Sequence, residues 1–338
     1  MSLSGSRTYV GFGFGAIQAG LFLHEAYHSN NFQRLVVAEV VPDVVAELRG
    51  AGGFYSVNIA HTNRIETTKI GPVEVLDPGV SSDRHRLIEA IADAHEIATA
   101  IPRTDLYRTQ GPASLHRVLA AGLARKLEQE GPAAVVYAAE NHNAAAEILE
   151  KLVLEELPVG LHKRLGASVQ FLNTVIGKMS GLVARPDESG LKTVVPGSTR
   201  AFLVEAFNRI LISKIRLEPA FERGIRTFQE KDDLLPFEEA KLFGHNATHA
   251  LGAYLGMQLG IRHMTDLRTA PGVVEFLRNA FVLESGQSLI RKHAGVDPLF
   301  TPEGYAHYAD DLLVRMLNPH LMDTAERVAR DTRRKFGW

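Results

Sequence analysis

Lys241, Asn246 and His249 stand in the pattern K-x4-N-x2-H and supply an amine, an amide and an imidazole, with no strong nucleophile among them. A lysine with a lowered pKa can take a hydroxyl proton, while an amide and an imidazole can hold the reacting oxygen. That set suits the oxidation of an alcohol. At ~100° per residue of an α-helix, Asn246 lies about 140° and His249 about 80° round from Lys241, so one helix would turn all three toward one broad face. A free lysine has a pKa of ~10.4, and base work near neutrality needs burial or a positive neighbour. Glu238 and Glu239, if close, would act the other way.

Alcohol oxidation also needs a hydride acceptor, and the start of the chain offers a place for one. Tyr9-Val10 reads as a strand leading into Gly11-Phe12-Gly13-Phe14-Gly15, after which Ala16 to Tyr27 has helical spacing through Ile17, Leu21, Phe22 and Ala26. Gly13-x-Gly15-x-x-Gln18 therefore occupies the place of the G-x-G-x-x-G fingerprint. Gly13, Phe14, Gly15, Ala16 and Ile17 form a turn at which a pyrophosphate can approach backbone N–H groups at the positive end of a helix. The third glycine, which normally lets the helix pack on the strand, is Gln18 here. Glu39 lies 21 residues past Gln18 at the end of the next strand, Arg34 to Val40. A carboxylate there can accept both ribose hydroxyls and repel a 2′-phosphate, which favours NAD over NADP.

The elements that must position these groups alternate in type. A Pro42-initiated helix follows Glu39, and Tyr55 to Ala60, Arg64 to Lys69 and Val73 to Val75 read as short strands of an antiparallel insertion. The pattern then gives a helix at Asp83 to Ala94, a parallel strand at Glu96 to Ile101, a helix at Gly111 to Glu130 and a continuous apolar strand at Ala133 to Ala139. Helical spacing returns to Leu157, with strand signals at Ser168 to Leu172 and, more weakly, from Thr193 to Ile215. After Pro236 nearly everything has helical period. The expected fold class is α/β: a Rossmann-type, doubly wound N-terminal domain with additional strands over residues 1–229, followed by a mostly α-helical catalytic domain over 230–338.

Composition narrows the function classes further. With 37 Lys plus Arg against 39 Asp plus Glu, no overall basic field favours nucleic acid or an anionic membrane. The absence of cysteine removes disulfides, thiolate zinc ligands, iron–sulfur clusters and cysteine nucleophiles together. Met1 to Arg7 lacks the order of a secretory signal, and no apolar stretch approaches the ~18 residues of a membrane span, so a cytoplasmic location is expected; a monomer or homodimer is expected besides. Ser2 to Gly5 reads as a disordered tail.

Lys241-Leu242-Phe243-Gly244-His245-Asn246-Ala247-Thr248-His249-Ala250, running on to Gly256, resembles the long-chain mannitol dehydrogenase family. Ala139-Glu140-Asn141, Glu284-Ser285-Gly286 and Asn318-Pro319-His320-Leu321 extend the resemblance over nearly the whole chain, and toward the mannitol-1-phosphate 5-dehydrogenase branch in particular. The resemblance implies that Lys241 takes the hydroxyl proton while hydride leaves for NAD. It implies also that Asn141 and Asn246 hold the alkoxide or carbonyl oxygen, that His249 orients it, and that Arg315 and Asn318 line the substrate site. The implied substrate is a polyol or sugar phosphate, such as mannitol 1-phosphate with fructose 6-phosphate. Where the family usually shows an Asp-Arg pair, this chain has Gly177-Lys178; Lys178 keeps a positive charge for substrate, and the carboxylate is lost. Trp338 follows soon after Arg333-Arg334-Lys335, where family members commonly continue, as a truncated product or a shortened domain would.

Other readings compete. A non-phosphorylated polyol or uronate enzyme would share the same family. A nucleotide-sensing protein that had lost catalysis would keep the dinucleotide fold, but retention of Lys241, Asn246 and His249 together argues against it. His245-x3-His249 has the spacing of two metal ligands on a helix, yet Asn246 stands where a hydrolase would need its glutamate base, so no metal is expected. His24, His28, His85 and His116 are expected on solvated helix faces.

Overall fold

Short runs such as Tyr-Val-Gly-Phe and Ala-Val-Val-Tyr-Ala hold almost no charge, and a strand of this kind is stable only with both faces covered. The computed structural model describes residues 6–330, apart from the side chains of Asp187 and Glu188. Ser2 to Gly5 and the basic stretch Arg333-Arg334-Lys335 lie outside the described residues. Twelve strands are found among those described: β1 Thr8–Phe12, β2 Arg34–Ala38, β3 Tyr55–Ala60, β4 Ile65–Ile70, β5 Glu74–Leu76, β6 Ala94–Thr99, β7 Ala134–Ala138, β8 Val169–Val175, β9 Ser180–Ala184, β10 Arg200–Glu205, β11 Leu211–Ser213 and β12 Gln229–Lys231.

Two compact units divide the chain: residues up to Ile59 with Glu66–Leu234, and Ala60–Ile65 with the residues from Leu235 onward. The first unit carries an eight-stranded sheet in the order β12-β11-β8-β7-β6-β1-β2-β5. From β8 to β5 all neighbours are parallel, and β11 runs antiparallel to β8. Alternate residues of β1 and β2 feed the two faces: Tyr9, Leu35 and Val37 enter one apolar core, Val10, Phe12, Val36 and Ala38 the other. Helices Ser81–Asp93 and Leu115–Glu128 cover the second of these faces, and the helical segments Gln18–Phe22, Leu23–His28 and Pro42–Gly50 cover the first. Because β1 has β2 on one side and β6 on the other, the strand order reverses beside β1, the place at the carboxyl ends of the strands where sheets of this kind bind ligands.

The antiparallel insertion expected between Tyr55 and Val75 is only partly what forms. β5 joins the edge of the main sheet parallel to β2. β3 and β4 belong instead to a second sheet, β4-β3-β10-β9, whose other half comes from far along the chain. No local pattern could announce that pairing, since its register is set by residues more than a hundred positions apart.

The second unit is helical. One continuous helical segment runs from Leu235 to Gln258, and others span Val273 to Lys292 and Pro302–Met316. Thr301 caps the last by accepting from Gly304 N–H at 3.0 Å. Among the described residues, no helix is long and apolar enough to cross a membrane.

Glu96, at the core of the first unit, is fully buried on β6. Its Oε1 accepts from the backbone N–H groups of Gly224 and Ile225, and its Oε2 from the Tyr137 hydroxyl at 2.9 Å. Burial outweighs these bonds and pushes its pKa up to about 7. A carboxyl raised in the fold favours folding below its unfolded pKa, and that contribution is lost as pH rises through about 7. Glu96→Gln mimics the protonated acid, so the stability difference between variant and wild type should shift in the variant's favour from pH 5 to pH 8, by on the order of 3 kcal/mol. Denaturant melts at both pH values check this; a difference that does not change with pH would refute it.

Candidate active site

The turn after β1 is built for close approach. Gly13 has φ +82°, and a Cβ there would come 2.9 Å from the Ala100 carbonyl oxygen, so only glycine fits. Gly15 opens the helix, accepting from Ala19 N–H at 2.9 Å, and a Cβ built on it would meet nothing within 4 Å. The open side of the turn is thus left to a ligand. Phe14 sends its ring into the core against Tyr55 and Phe202, at 4.9 and 5.4 Å between centroids. Ala16 and Ile17 pack on the same core.

Gln18, in place of the third glycine, is resolved by an exchange of roles. Its side chain lies across Gly11 and donates to the Tyr9 hydroxyl at 2.8 Å; a Cβ on Gly11 would fall 1.7 Å from Gln18 Nε2. The space that helix and strand need is provided by the strand glycine instead of the helix glycine. Glu39 is buried, and its carboxylate is fixed by three backbone donors: Phe14 N–H at 2.8 Å, Val40 N–H at 2.7 Å and Val41 N–H at 2.9 Å. The acid therefore sits against the turn itself. Gly13, Gly15 and Glu39 suit a dinucleotide: an open glycine turn at a helix N-terminus with a fixed carboxylate beside it.

Asn141 stands exposed just beyond β7. Its neighbour Glu140 is buried and accepts from Thr99 Oγ1 at 2.9 Å, Ile101 N–H at 2.9 Å and the Tyr107 hydroxyl, which ties the ends of β6 and β7 together. Burial raises the Glu140 pKa against those bonds.

Lys178 does not match the expected substrate contact. Its buried ammonium donates to Glu205 O at 2.5 Å, Phe207 O at 3.1 Å and Asn208 Oδ1 at 2.6 Å. Three protein acceptors for three protons make it a structural cation. His116 is a second correction: it is buried, with Nδ1 2.9 Å from Tyr107 O and Nε2 3.2 Å from Glu156 Oε1.

In the second unit, Ala240–Asn246 is wound as a π-helix, between α-helical turns on either side. Ala247 N–H donates to Leu242 O, five residues back. The α-helical angles expected from sequence therefore do not apply between Lys241 and Asn246. With the backbone ring closing over five residues, Asn246 comes one turn on from Lys241 and swings toward its side. Gly244 allows a close approach. A Cβ there would press within 2.8 Å of Phe281 and 2.9 Å of the Tyr305 hydroxyl, so the helix meets a second π segment, Ala280–Gly286, at close range.

Lys241 is half-buried at its surface, but protein surrounds its ammonium group closely enough that desolvation lowers its pKa to about 8. Glu238 opposes that shift, as its charge requires, and is outweighed. Glu239 turns elsewhere, to Lys292 Nζ at 2.6 Å and His293 Nε2 at 2.7 Å.

His245, weighed in the sequence only as a metal ligand, lies among the expected site residues of this unit. It is buried, and its pKa falls well below the usual range through burial and the fields of His249, Arg315 and Lys241. It thus marks where three expected site residues converge. Arg315 is largely buried, 3.4 Å from Asp311. Asn318 uses its amide locally: Oδ1 accepts from His320 N–H at 2.9 Å and Nδ2 donates to His61 O at 3.1 Å. His249 faces Asp323 Oδ2 across 3.5 Å, a partner with no signal in the sequence. Among the described residues, no group of three or more histidine, aspartate or glutamate side chains is placed to hold a metal ion.

Residues 7–219 match the family model of the mannitol dehydrogenase Rossmann domain, and residues 233–337 that of the mannitol dehydrogenase C-terminal domain. The chain is 27% identical over 333 residues to a mannitol-1-phosphate 5-dehydrogenase of Pseudarthrobacter chlorophenolicus, covering 97% of this chain and 76% of that protein. It is 30% identical over 292 residues to one of Brevibacillus brevis, covering 84% and 70%. Among solved structures, the mannitol 2-dehydrogenase of Pseudomonas fluorescens in ternary complex with NAD and D-mannitol superposes with a TM-score of 0.73 at 19% identity, covering 99% of this chain and 73% of that one. A substrate-free D-sorbitol dehydrogenase gives 0.77 at 15% identity, covering 98% and 74%.

Proposed function

Since the chain belongs to the mannitol dehydrogenase family, we propose that it moves a hydride between a sugar alcohol phosphate and NAD, with Lys241 as the general base. The observation that carries this reading is the lysine itself: burial brings its pKa to about 8, where a neutral amine is available near physiological pH. NAD, when bound, supplies the hydride acceptor. The turn Gly13 to Ile17 would receive its pyrophosphate, with the Phe14 N–H kept by Glu39, and Glu39 would hold its adenosine ribose.

On oxidation, Lys241 Nζ takes the proton of the reacting hydroxyl. Negative charge then grows on that oxygen, and the amide groups of Asn246 and Asn141 donate to it. The ammonium formed on Lys241 stabilises the same oxygen until the proton passes to solvent. Arg315, a cation beside His245 in the second unit, is the group suited to a substrate phosphate. The relatives named for mannitol 1-phosphate support that substrate class. The protein would work in the cytoplasm as a monomer or homodimer.

The test is a panel of mannitol 1-phosphate, fructose 6-phosphate, mannitol and fructose with NAD or NADH in the presence of a strong chelator. Turnover should persist under chelation and be fastest with the phosphorylated pair. No turnover on any member, or activity lost to the chelator and restored by zinc, would overturn the reading.

A further inference from the structure

His249 Nε2 is sealed from solvent, and among the described residues no closer polar group bonds to it than Asp323 Oδ2, 3.5 Å away. Asp323 is almost fully buried. Its Oδ1 accepts from Arg327 Nε at 2.6 Å, and its backbone oxygen accepts from Met264 N–H at 2.9 Å. Arg327 thereby holds one carboxylate oxygen and the Met264 bond fixes the backbone that carries it, leaving the other oxygen toward the imidazole. Burial would raise the Asp323 pKa, but His249 and Arg327 beside it outweigh that and hold it below the ordinary value.

A lone pair on Nε2 would face this carboxylate across a dry gap and be repelled, whereas an N–H there is attracted. We infer that Asp323 is a positioning residue that keeps the His249 proton on Nε2, so that Nδ1 is left as a hydrogen-bond acceptor for a substrate hydroxyl. The inference rests on the reading that His249 meets the substrate. It deepens that reading by giving His249 a direction. The imidazole accepts from a hydroxyl and orients it, and donation to the growing oxyanion is left to the two asparagines and Lys241. A contact of 3.5 Å is at the edge of hydrogen-bond reach, and such bonds commonly tighten once substrate is in place.

Asp323→Asn is the informative substitution. Arg327 would take the amide oxygen, leaving the amide NH2 to face His249 Nε2, which reverses the preferred tautomer without a change of shape. Ring-nitrogen NMR of protein made with isotope-labelled histidine, assigned through the signals missing from His249→Gln, reads the tautomer directly. In the wild type His249 should carry its proton on Nε2, and in Asp323→Asn a large share should move to Nδ1. kcat/KM should fall at least ~10-fold in Asp323→Asn with NAD binding unchanged, and the same substitution should cost less than about 2-fold when His249→Ala is already present. A proton on Nδ1 in the wild type would overturn the inference, and this measurement does not need Asp323→Asn to fold, only His249→Gln for the assignment. Equal costs of Asp323→Asn in both backgrounds would also overturn it, showing a purely structural aspartate. If the wild type turned over no alcohol at all, the proposed function would fail, while the tautomer measurement would still decide the placement of the proton.

Discussion

Replacing Lys241 by alanine is expected to lower kcat for polyol oxidation by at least ~10²-fold while NAD binding survives. General-base catalysis is worth ~10² to 10⁴-fold, and Lys241 is the amine proposed as base, its pKa lowered by burial to about 8. The cofactor turn at Gly13 to Ile17 belongs to the first unit, so loss of a side chain in the second leaves it intact. In the wild type the amine must be neutral to take a proton. The oxidation rate should therefore rise with pH through about 8, and reduction, which needs the ammonium, should fall over the same range. That limb should vanish in the variant, and an added small primary amine should restore part of the rate. An exposed helix lysine would behave otherwise, since such substitutions change stability by no more than ~0.5 kcal/mol and leave turnover nearly untouched. Retention of more than about a third of wild-type kcat on the best substrate is the result that would remove Lys241 from the mechanism.

The second large effect concerns the cofactor: kcat/KM with NAD should exceed that with NADP by ~10²-fold or more. Glu39 is not a mobile surface acid that could swing away from a 2′-phosphate. Backbone donors from Phe14, Val40 and Val41 hold both of its oxygens, and the side chain is buried. A phosphate brought against a carboxylate so fixed costs at least a few kcal/mol, about 1.4 kcal/mol for each tenfold. Steady-state kinetics with the two cofactors side by side decide the matter. Equal or better use of NADP would show that Glu39 serves the turn alone and does not read the ribose.

Much of the cofactor half was open to sequence reading because its signals are local. Gly13, Gly15 and Glu39 lie within one strand, helix and strand, and their roles follow from turn sterics and strand-end position, which near neighbours set. The spacing of Lys241, Asn246 and His249 was legible for the same reason. The angles between them were not. Ala240–Asn246 is wound as a π-helix, and its Gly244 lies against Phe281 and Tyr305, neither of which is near it in sequence.

Where the expectations failed, the cause was a partner that only folding brings near. Lys178 looked like a substrate cation, since its three acceptors at Glu205, Phe207 and Asn208 lie on a later segment. Gln18 looked like a departure from the fingerprint until Gly11 was seen to make room for it. The strands from Tyr55 to Ile70 found their places in a second sheet with β9 and β10, beyond any local pattern. By itself, then, the sequence determined the kinds of groups present, the strand–turn–helix that receives a dinucleotide, and the order of its elements. The tertiary structure decided the lowered pKa of Lys241, the convergence of fields on His245 and the carboxylate facing His249. Those depend on burial and on contacts between distant segments, and the free energy of a charge or a proton is set by what surrounds it in space.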